Sequence, residues 1–289
     1  MAEGRIPYGG SETWYREEGE TGPGKLPVLC LHGGPGGAHD YLEPLFGLAA
    51  TGRRVVLYDQ IGCGRSPASG LDWTVELFVD EVGVVRAALG LERVHVFGNS
   101  WGGMLAMEYA LTQPQGLASL VLASSPASIP QWVEETGRLR AALPVDVQET
   151  LDRHEAAGTV HDEEYVTACM EFYKRHVCRV WPFPDYVQRS FDQLGEVYET
   201  MNGPSEFHVV GTLRDWSVVA RLGEIDAPTL VVSSEHDEAT PAINRTVADG
   251  IPGARSVVLE GCSHMAHVER TEEYLELLDR FFAEVEAAS

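Results

Sequence analysis

Three side chains of this sequence, Ser100, Asp237 and His264, are of the types that acyl transfer needs: a hydroxyl nucleophile, a carboxylate to orient a base, and an imidazole base. Ser100 stands in Gly98-Asn99-Ser100-Trp101-Gly102-Gly103, behind the apolar run Val94-His95-Val96-Phe97 and ahead of a helix-compatible run from Met104 to Ala110. A serine on a tight strand-to-helix turn has a strained backbone and closely packed flanks, and glycines at 98 and 102 leave room for both. Such a turn lifts Ser100 Oγ clear of the sheet, while the first helical turn offers unpaired backbone N–H groups to a developing oxyanion. Gly-x-Ser-x-Gly alone also fits an ordinary glycine-rich turn, so the assignment depends on the rest of the chain.

An oxyanion needs a second donor. The run His32-Gly33-Gly34-Pro35-Gly36-Gly37 follows the buried-strand pattern Leu26 to Leu31, and a glycine-rich loop presents backbone with no side chain in the way. Gly34 is the donor expected from this loop, and the main chain of Trp101 supplies the other. The competing reading, a phosphate-cradling loop, has neither the G-x-x-x-x-G-K-[ST] nor the G-x-G-x-x-G spacing.

The strand-like run Pro228 to Ser234 ends in Glu235-His236-Asp237-Glu238, and Ala254 to Leu259 ends in Glu260-Gly261-Cys262-Ser263-His264. Acid and imidazole therefore fall just beyond the carboxyl ends of strands, where open α/β sheets place their sites. Serine, aspartate and histidine also follow one another in the order found in α/β-hydrolases. Rivals stay open at this point. Glu235 and Glu238 compete with Asp237, and His236 and His267 compete with His264, which lies nearer its strand end behind two small residues. Cys262 lacks an elbow and reads as a packed small hydrophobe.

Taken together, His32 to Gly37, Asp59-Gln60-Ile61-Gly62-Cys63-Gly64-Arg65-Ser66, Gly98 to Gly103, Asp237-Glu238-Ala239-Thr240-Pro241 and Ser263-His264-Met265-Ala266-His267-Val268-Glu269 resemble the motifs of the proline iminopeptidase family. These are serine aminopeptidases of the prolyl aminopeptidase type on the α/β-hydrolase fold, and the similarity runs over nearly the whole chain. The resemblance implies a substrate with a free amino terminus, held by acidic residues in and beside a helical cap. By position in Met201-Asn202-Gly203-Pro204-Ser205-Glu206-Phe207 it implies one such acid at Glu206, and it implies a second at Glu238. The chemistry is independent of the family: a buried ammonium is costly to desolvate and needs opposite charge with hydrogen-bond acceptors. Without the resemblance both glutamates read as solvated surface acids. The activity implied is release of an N-terminal residue, preferentially proline, from short peptides through an acyl-enzyme, with no metal or organic cofactor.

These residues need a scaffold that carries them on strand ends. Strand-like runs at Val28 to Leu31, Arg54 to Tyr58, Val94 to Phe97 and Leu120 to Ala123 alternate with helical stretches near 74–89 and 103–112. Such alternation predicts a mostly parallel central sheet with helices on both faces, and the resemblance implies that this is an α/β-hydrolase fold. From about 126 to 224 the sequence turns charged and aromatic, and Pro130, Pro144, Pro182, Pro184 and Pro204 break it into short helical pieces. It is read as an inserted helical cap (126–224) within a core formed by 1–125 and 225–289. Leu230 to Ser233 and Val257 to Leu259 resume the strands, and Glu272 to Ala287 closes the chain as an amphipathic helix.

Composition sets the outer bounds. With 289 residues, 44% of them hydrophobic, the chain can bury a large core. Twenty-one lysines and arginines against 44 acids give a formal charge of −23, which argues against nucleic acid or anionic membrane as partners and weakly favours amine-bearing substrates. No basic start precedes an apolar stretch and no run approaches the ~18 residues of a membrane span, so a cytoplasmic protein is expected. The five scattered cysteines suggest neither a disulfide framework nor a zinc site. Oligomeric state is open, a monomer being plausible. A related amidase or small-ester hydrolase acting on amino-acid amides shares the free-amine anchor. A haloalkane or epoxide-type hydrolase would carry aspartate at position 100, and a silent ligand receptor on the same fold could retain the triad.

Overall fold

The computed structural model of the protein describes residues 1–288. A hairpin opens the chain, in which β1 (Ala2–Tyr8) and β2 (Ser11–Glu18) pair antiparallel across Gly9 and Gly10 at φ of 59° and 78°. A two-residue turn with both φ positive suits glycine, which has no Cβ to clash. The polar residues of this segment hide it from a search for apolar runs, and the Gly-Gly dipeptide is the signal that marks it.

β3 (Val28–Leu31), β4 (Val55–Tyr58), α1 (Val75–Ala88), β5 (Val94–Asn99), α2 (Trp101–Leu111) and β6 (Leu117–Ala123) follow, close to the runs expected from sequence. A 3₁₀ run over His39–Thr51, which no periodicity announces, lies between β3 and β4. After β6 come α3 (Ile129–Arg140), α4 (Val145–Ala157), α5 (Glu163–His176), α6 (Asp185–Asp192) and α7 (Glu196–Met201). Pro130 falls in the first turn of α3, while Pro144 and Pro184 immediately precede α4 and α6, positions where a missing N–H costs no helical hydrogen bond. An antiparallel bridge between Ser128 and Ser217 joins the two ends of this insertion. The chain finishes with β7 (Thr229–Ser234), α8 (Pro241–Gly250), β8 (Arg255–Leu259), α9 (Ala266–Glu269) and α10 (Thr271–Ala288).

The eight-stranded sheet has the order β1-β2-β4-β3-β5-β6-β7-β8, antiparallel through β4 and parallel from there on. Successive side chains of a strand point to opposite faces, so the sheet divides two cores. Leu29, Leu31, Val56, Val96 and Leu122 pack with Phe78 and Val82 of α1 and Met104 of α2 on one face. On the other face, Val28, Cys30, Leu57, Phe97 and Val121 pack with Leu42 and Leu45 of the 3₁₀ run and Phe281 and Phe282 of α10. That two-sided cover is why the inner strands read as unbroken apolar runs.

One buried acid belongs to this scaffold. Glu81 of α1 accepts hydrogen bonds from the Thr13 hydroxyl of β2 and from the Ile61 N–H, tying the hairpin to the loop after β4. Burial pushes its carboxyl up to about 8. Among the described residues no helix is long and apolar enough to cross a membrane.

Candidate active site

Ser100 occupies the junction of β5 and α2 at φ 58° and ψ −124°, a backbone region that non-glycine residues rarely adopt. The surrounding glycines explain how the turn closes. A Cβ on Gly98 would lie 2.2 Å from the Gly102 carbonyl oxygen, one on Gly102 would lie 2.0 Å from that of Leu31, and one on Gly103 would meet the Ser125 hydroxyl at 2.0 Å. Strand end, helix start and the neighbouring β3 therefore approach to distances only glycine permits.

The loop His32 to Gly37 leaves β3 beside this elbow. Gly34 has φ 118°, and a Cβ there would sit 2.6 Å from the Gly37 nitrogen. Trp101 opens α2, so its N–H has no carbonyl within the helix to bind. The motif after β4 supplies a link that sequence reading leaves unassigned. Gln60 Oε1 accepts from the Trp101 indole at 2.8 Å, its amide donates to the His32 carbonyl at 2.9 Å, and its N–H donates to His32 Nε2 at 3.0 Å. Asp59 anchors the same motif. Burial pushes its carboxyl up, but hydrogen bonds from the His39 ring and N–H outweigh that and hold it below the usual range.

Asp237 follows β7 and His264 follows β8, and His264 Nδ1 donates to Asp237 Oδ1 at 2.8 Å. Ser100 and His264 line one cavity without a hydrogen bond between them among the described residues, and such contacts commonly tighten only when substrate is bound. Of the rivals, Glu238 stays beside the pair, with Oε1 3.6 Å from His264 Nδ1, while the others are exposed or bonded elsewhere. The Glu235 side chain is 55% exposed and that of His236 is 36% exposed. His267 is buried, donates through Nε2 to the Tyr41 carbonyl at 3.1 Å, and burial lowers its ring to about 3. All five cysteines, Cys262 included, are buried free thiols.

Glu206 and Glu238 both reach the cavity of Ser100 and His264. Glu206 accepts from the Tyr198 hydroxyl of α7 at 2.7 Å, and its carbonyl accepts from the Trp132 indole of α3 at the same distance. Glu238 Oε2 is buried with no hydrogen-bond partner among the described residues. Burial raises both carboxyls, and the charges of Glu206 and Asp237 push Glu238 higher still. The rest of the lining combines glycines of the β3 loop and the apolar Val177, Phe191, Leu194 and Met265 with the polar Tyr41, Asn99 and Ser190, and holds no lysine or arginine among the described residues.

The segment between β6 and β7 also holds the loops that carry the acid and the base. The His176 carbonyl at the end of α5 accepts the N–H groups of Glu238 at 3.2 Å and His264 at 3.1 Å, and the Val177 carbonyl accepts that of Met265 at 3.0 Å. As for cations, the described residues bring His39, Asp40 and Glu43 together as possible metal ligands. Arg189 already pairs with Asp40 and Glu43, and Asp59 with His39, so the group is satisfied as an ion-pair cluster.

A family model described as the alpha/beta hydrolase fold matches residues 27–271, and the chain belongs to that family. More narrowly, it is 39% identical over 263 residues to the proline iminopeptidase of Saccharolobus solfataricus, covering 89% of this chain and 85% of the relative. The crystal structure of proline iminopeptidase from Mycobacterium smegmatis superposes with a TM-score of 0.92 at 48% identity, over 99% of each chain. The crystal structure of VinJ does so with a TM-score of 0.94 at 46% identity, over 98% of this chain and 99% of that one. The chain is a member of the proline iminopeptidase family and a hydrolase of that kind.

Proposed function

We propose that this protein is a serine exopeptidase that releases an N-terminal residue, preferentially proline, from short peptides through an acyl-enzyme. The observation that carries the reading is a cavity in which two carboxylates, the buried Glu238 and the half-buried Glu206, share walls with Ser100 and His264, and no lysine or arginine of the described lining balances them. A substrate ammonium supplies that balance, and placing it there draws both glutamates to their charged forms. An internal peptide bond has no ammonium to offer, so recognition by this pair limits cleavage to the first residue.

On this reading residues 126–224 form a cap over a core made of 1–125 and 225–289. The first side chain packs among Val177, Phe191, Leu194 and Met265. Ser100 Oγ attacks the first carbonyl while His264 takes its proton, with Asp237 holding the imidazole tautomer and stabilising its cation. N–H groups of Gly34 and Trp101 hold the oxyanion, each donor contributing about 3 kcal/mol. His264 then protonates the leaving amine and activates the water that frees the acyl group.

The test is a panel of three compounds: a prolyl arylamide, its N-acetyl derivative and a simple acetyl ester. The expected result is turnover of the free-amine arylamide with at least about a hundredfold loss on acetylation, which removes the ammonium. Equal turnover of the free and acetylated arylamides overturns the exopeptidase reading, and an ester preferred above both assigns the protein to small-ester hydrolysis.

A further inference from the structure

One buried polar contact set near the elbow has no part in the chemistry above. The Tyr41 hydroxyl, carried by the 3₁₀ run, accepts the Gly33 N–H at 2.8 Å and donates to Asn99 Oδ1 at 2.7 Å. Asn99 immediately precedes Ser100 and Gly33 immediately precedes Gly34. The Asn99 amide donates to the Ala123 carbonyl at 3.2 Å, and the Ser100 N–H meets that same oxygen at 2.9 Å. Tyr41 is itself fixed at its main chain, where its carbonyl accepts from His267 Nε2 at 3.1 Å, and its ring lies 5.5 Å from that imidazole.

We infer that Tyr41 is a positioning residue of the reaction: its hydroxyl clamps the Gly33-Gly34 loop to the elbow, keeping the Gly34 N–H in register with that of Trp101. This rests on the oxyanion assignment proposed above. Two donors on separate loops stabilise a developing charge only if their spacing is held before the reaction begins, since preorganisation is what makes such donors effective. The two loops follow different strands, β3 and β5, and the phenol bridges them with one accepted and one donated hydrogen bond. Gly33 is in tight contact here, because a Cβ on it would lie 3.0 Å from both Ser100 Cβ and the Tyr41 hydroxyl. The phenol keeps its proton, as burial raises Tyr41 above its ordinary range. The clamp also commits the Gly33 N–H to Tyr41, which leaves Gly34 as the donor its loop can offer.

Tyr41→Phe keeps the ring in the cavity and removes the clamp. On a prolyl arylamide, kcat should fall about tenfold with KM within about twofold, less than the hundredfold or more that follows outright removal of an oxyanion donor. A proline-derived boronic acid, whose serine adduct places an oxygen at the oxyanion position, should lose affinity by the same factor, while inhibition by free proline stays as in the wild type. A purely structural role would lower Tm and leave kcat and adduct affinity per folded molecule unchanged. That result, or a rise in KM alone, overturns the inference. Asn99→Ala removes the acceptor with Tyr41 in place and carries the same expectations and the same overturning results should Tyr41→Phe fail to fold. Absence of boronate binding by the wild type would instead count against Ser100 as nucleophile.

Discussion

The two halves of the candidate site are held in different ways. Ser100, Gly34 and Trp101 sit at strand ends where glycine-limited contacts of 2.0–2.6 Å from a virtual Cβ lock the main chain. Glu206 lies in the insertion, beyond α7, and is held by side-chain partners from two helices, Tyr198 and Trp132. On the proposed assignment the bond-making groups depend on backbone packing, which tolerates little change, whereas the recognising acid depends on a few side chains that can be exchanged. On that assignment the sheet fixes the chemistry, and the helices between β6 and β7 select among substrates.

The largest effect expected from this division is at the elbow. Ser100→Ala should reduce kcat by at least about 10⁴-fold while leaving Tm within a few degrees of wild type, as followed by turnover and thermal denaturation. Near-normal turnover by that variant would remove Ser100 from the reaction. Next come the acids. Glu206→Gln and Glu238→Gln should each cost about 2–4 kcal/mol on a prolyl arylamide, expressed mainly in kcat/KM, and at least tenfold less in fold-change on an acetyl ester. Equal losses on both substrates would show that these acids serve the bond-making half after all.

The smallest effect separates buried acids by role. Glu81 is as deeply buried as Glu238 but belongs to the scaffold, bound by Thr13 and Ile61. Its carboxyl is raised from 4.5 to about 8, so the folded protein keeps a proton that the unfolded chain has released. The stability tied to that proton is complete below pH 4.5 and is lost as pH rises through about 8. Wild-type Tm should decline across that window, and Glu81→Gln should flatten the decline with kcat changed by less than about twofold. An unaltered slope in the variant would refute the assignment.

The same division governs what the sequence reveals. Buried parallel strands announce themselves as apolar runs, so Val94 to Phe97 and Leu230 to Ser233 located β5 and β7, and with them the turns that carry Ser100 and Asp237. Glycine spacing marked the elbow and the β3 loop because those positions admit no side chain. Glu206 is different: its burial is created by Tyr198 and Trp132, and nothing in its neighbours distinguishes it from a surface acid, so only family resemblance pointed to it. Gln60 and Tyr41 were invisible for a related reason, since their partners Trp101 and Asn99 lie 41 and 58 positions away. The 3₁₀ run carrying Tyr41 has no periodicity to betray it, and Pro44 within it argues against a helix.

The carbonyl at the end of α5 has an evolutionary corollary. Because a single oxygen receives the N–H groups of both Glu238 and His264, grafting a foreign insertion between β6 and β7 would free the base-bearing and acid-bearing loops at once. On the proposed reading, changes of specificity that keep this mooring fall in the stretch beyond Val177, which carries α6, α7 and Glu206.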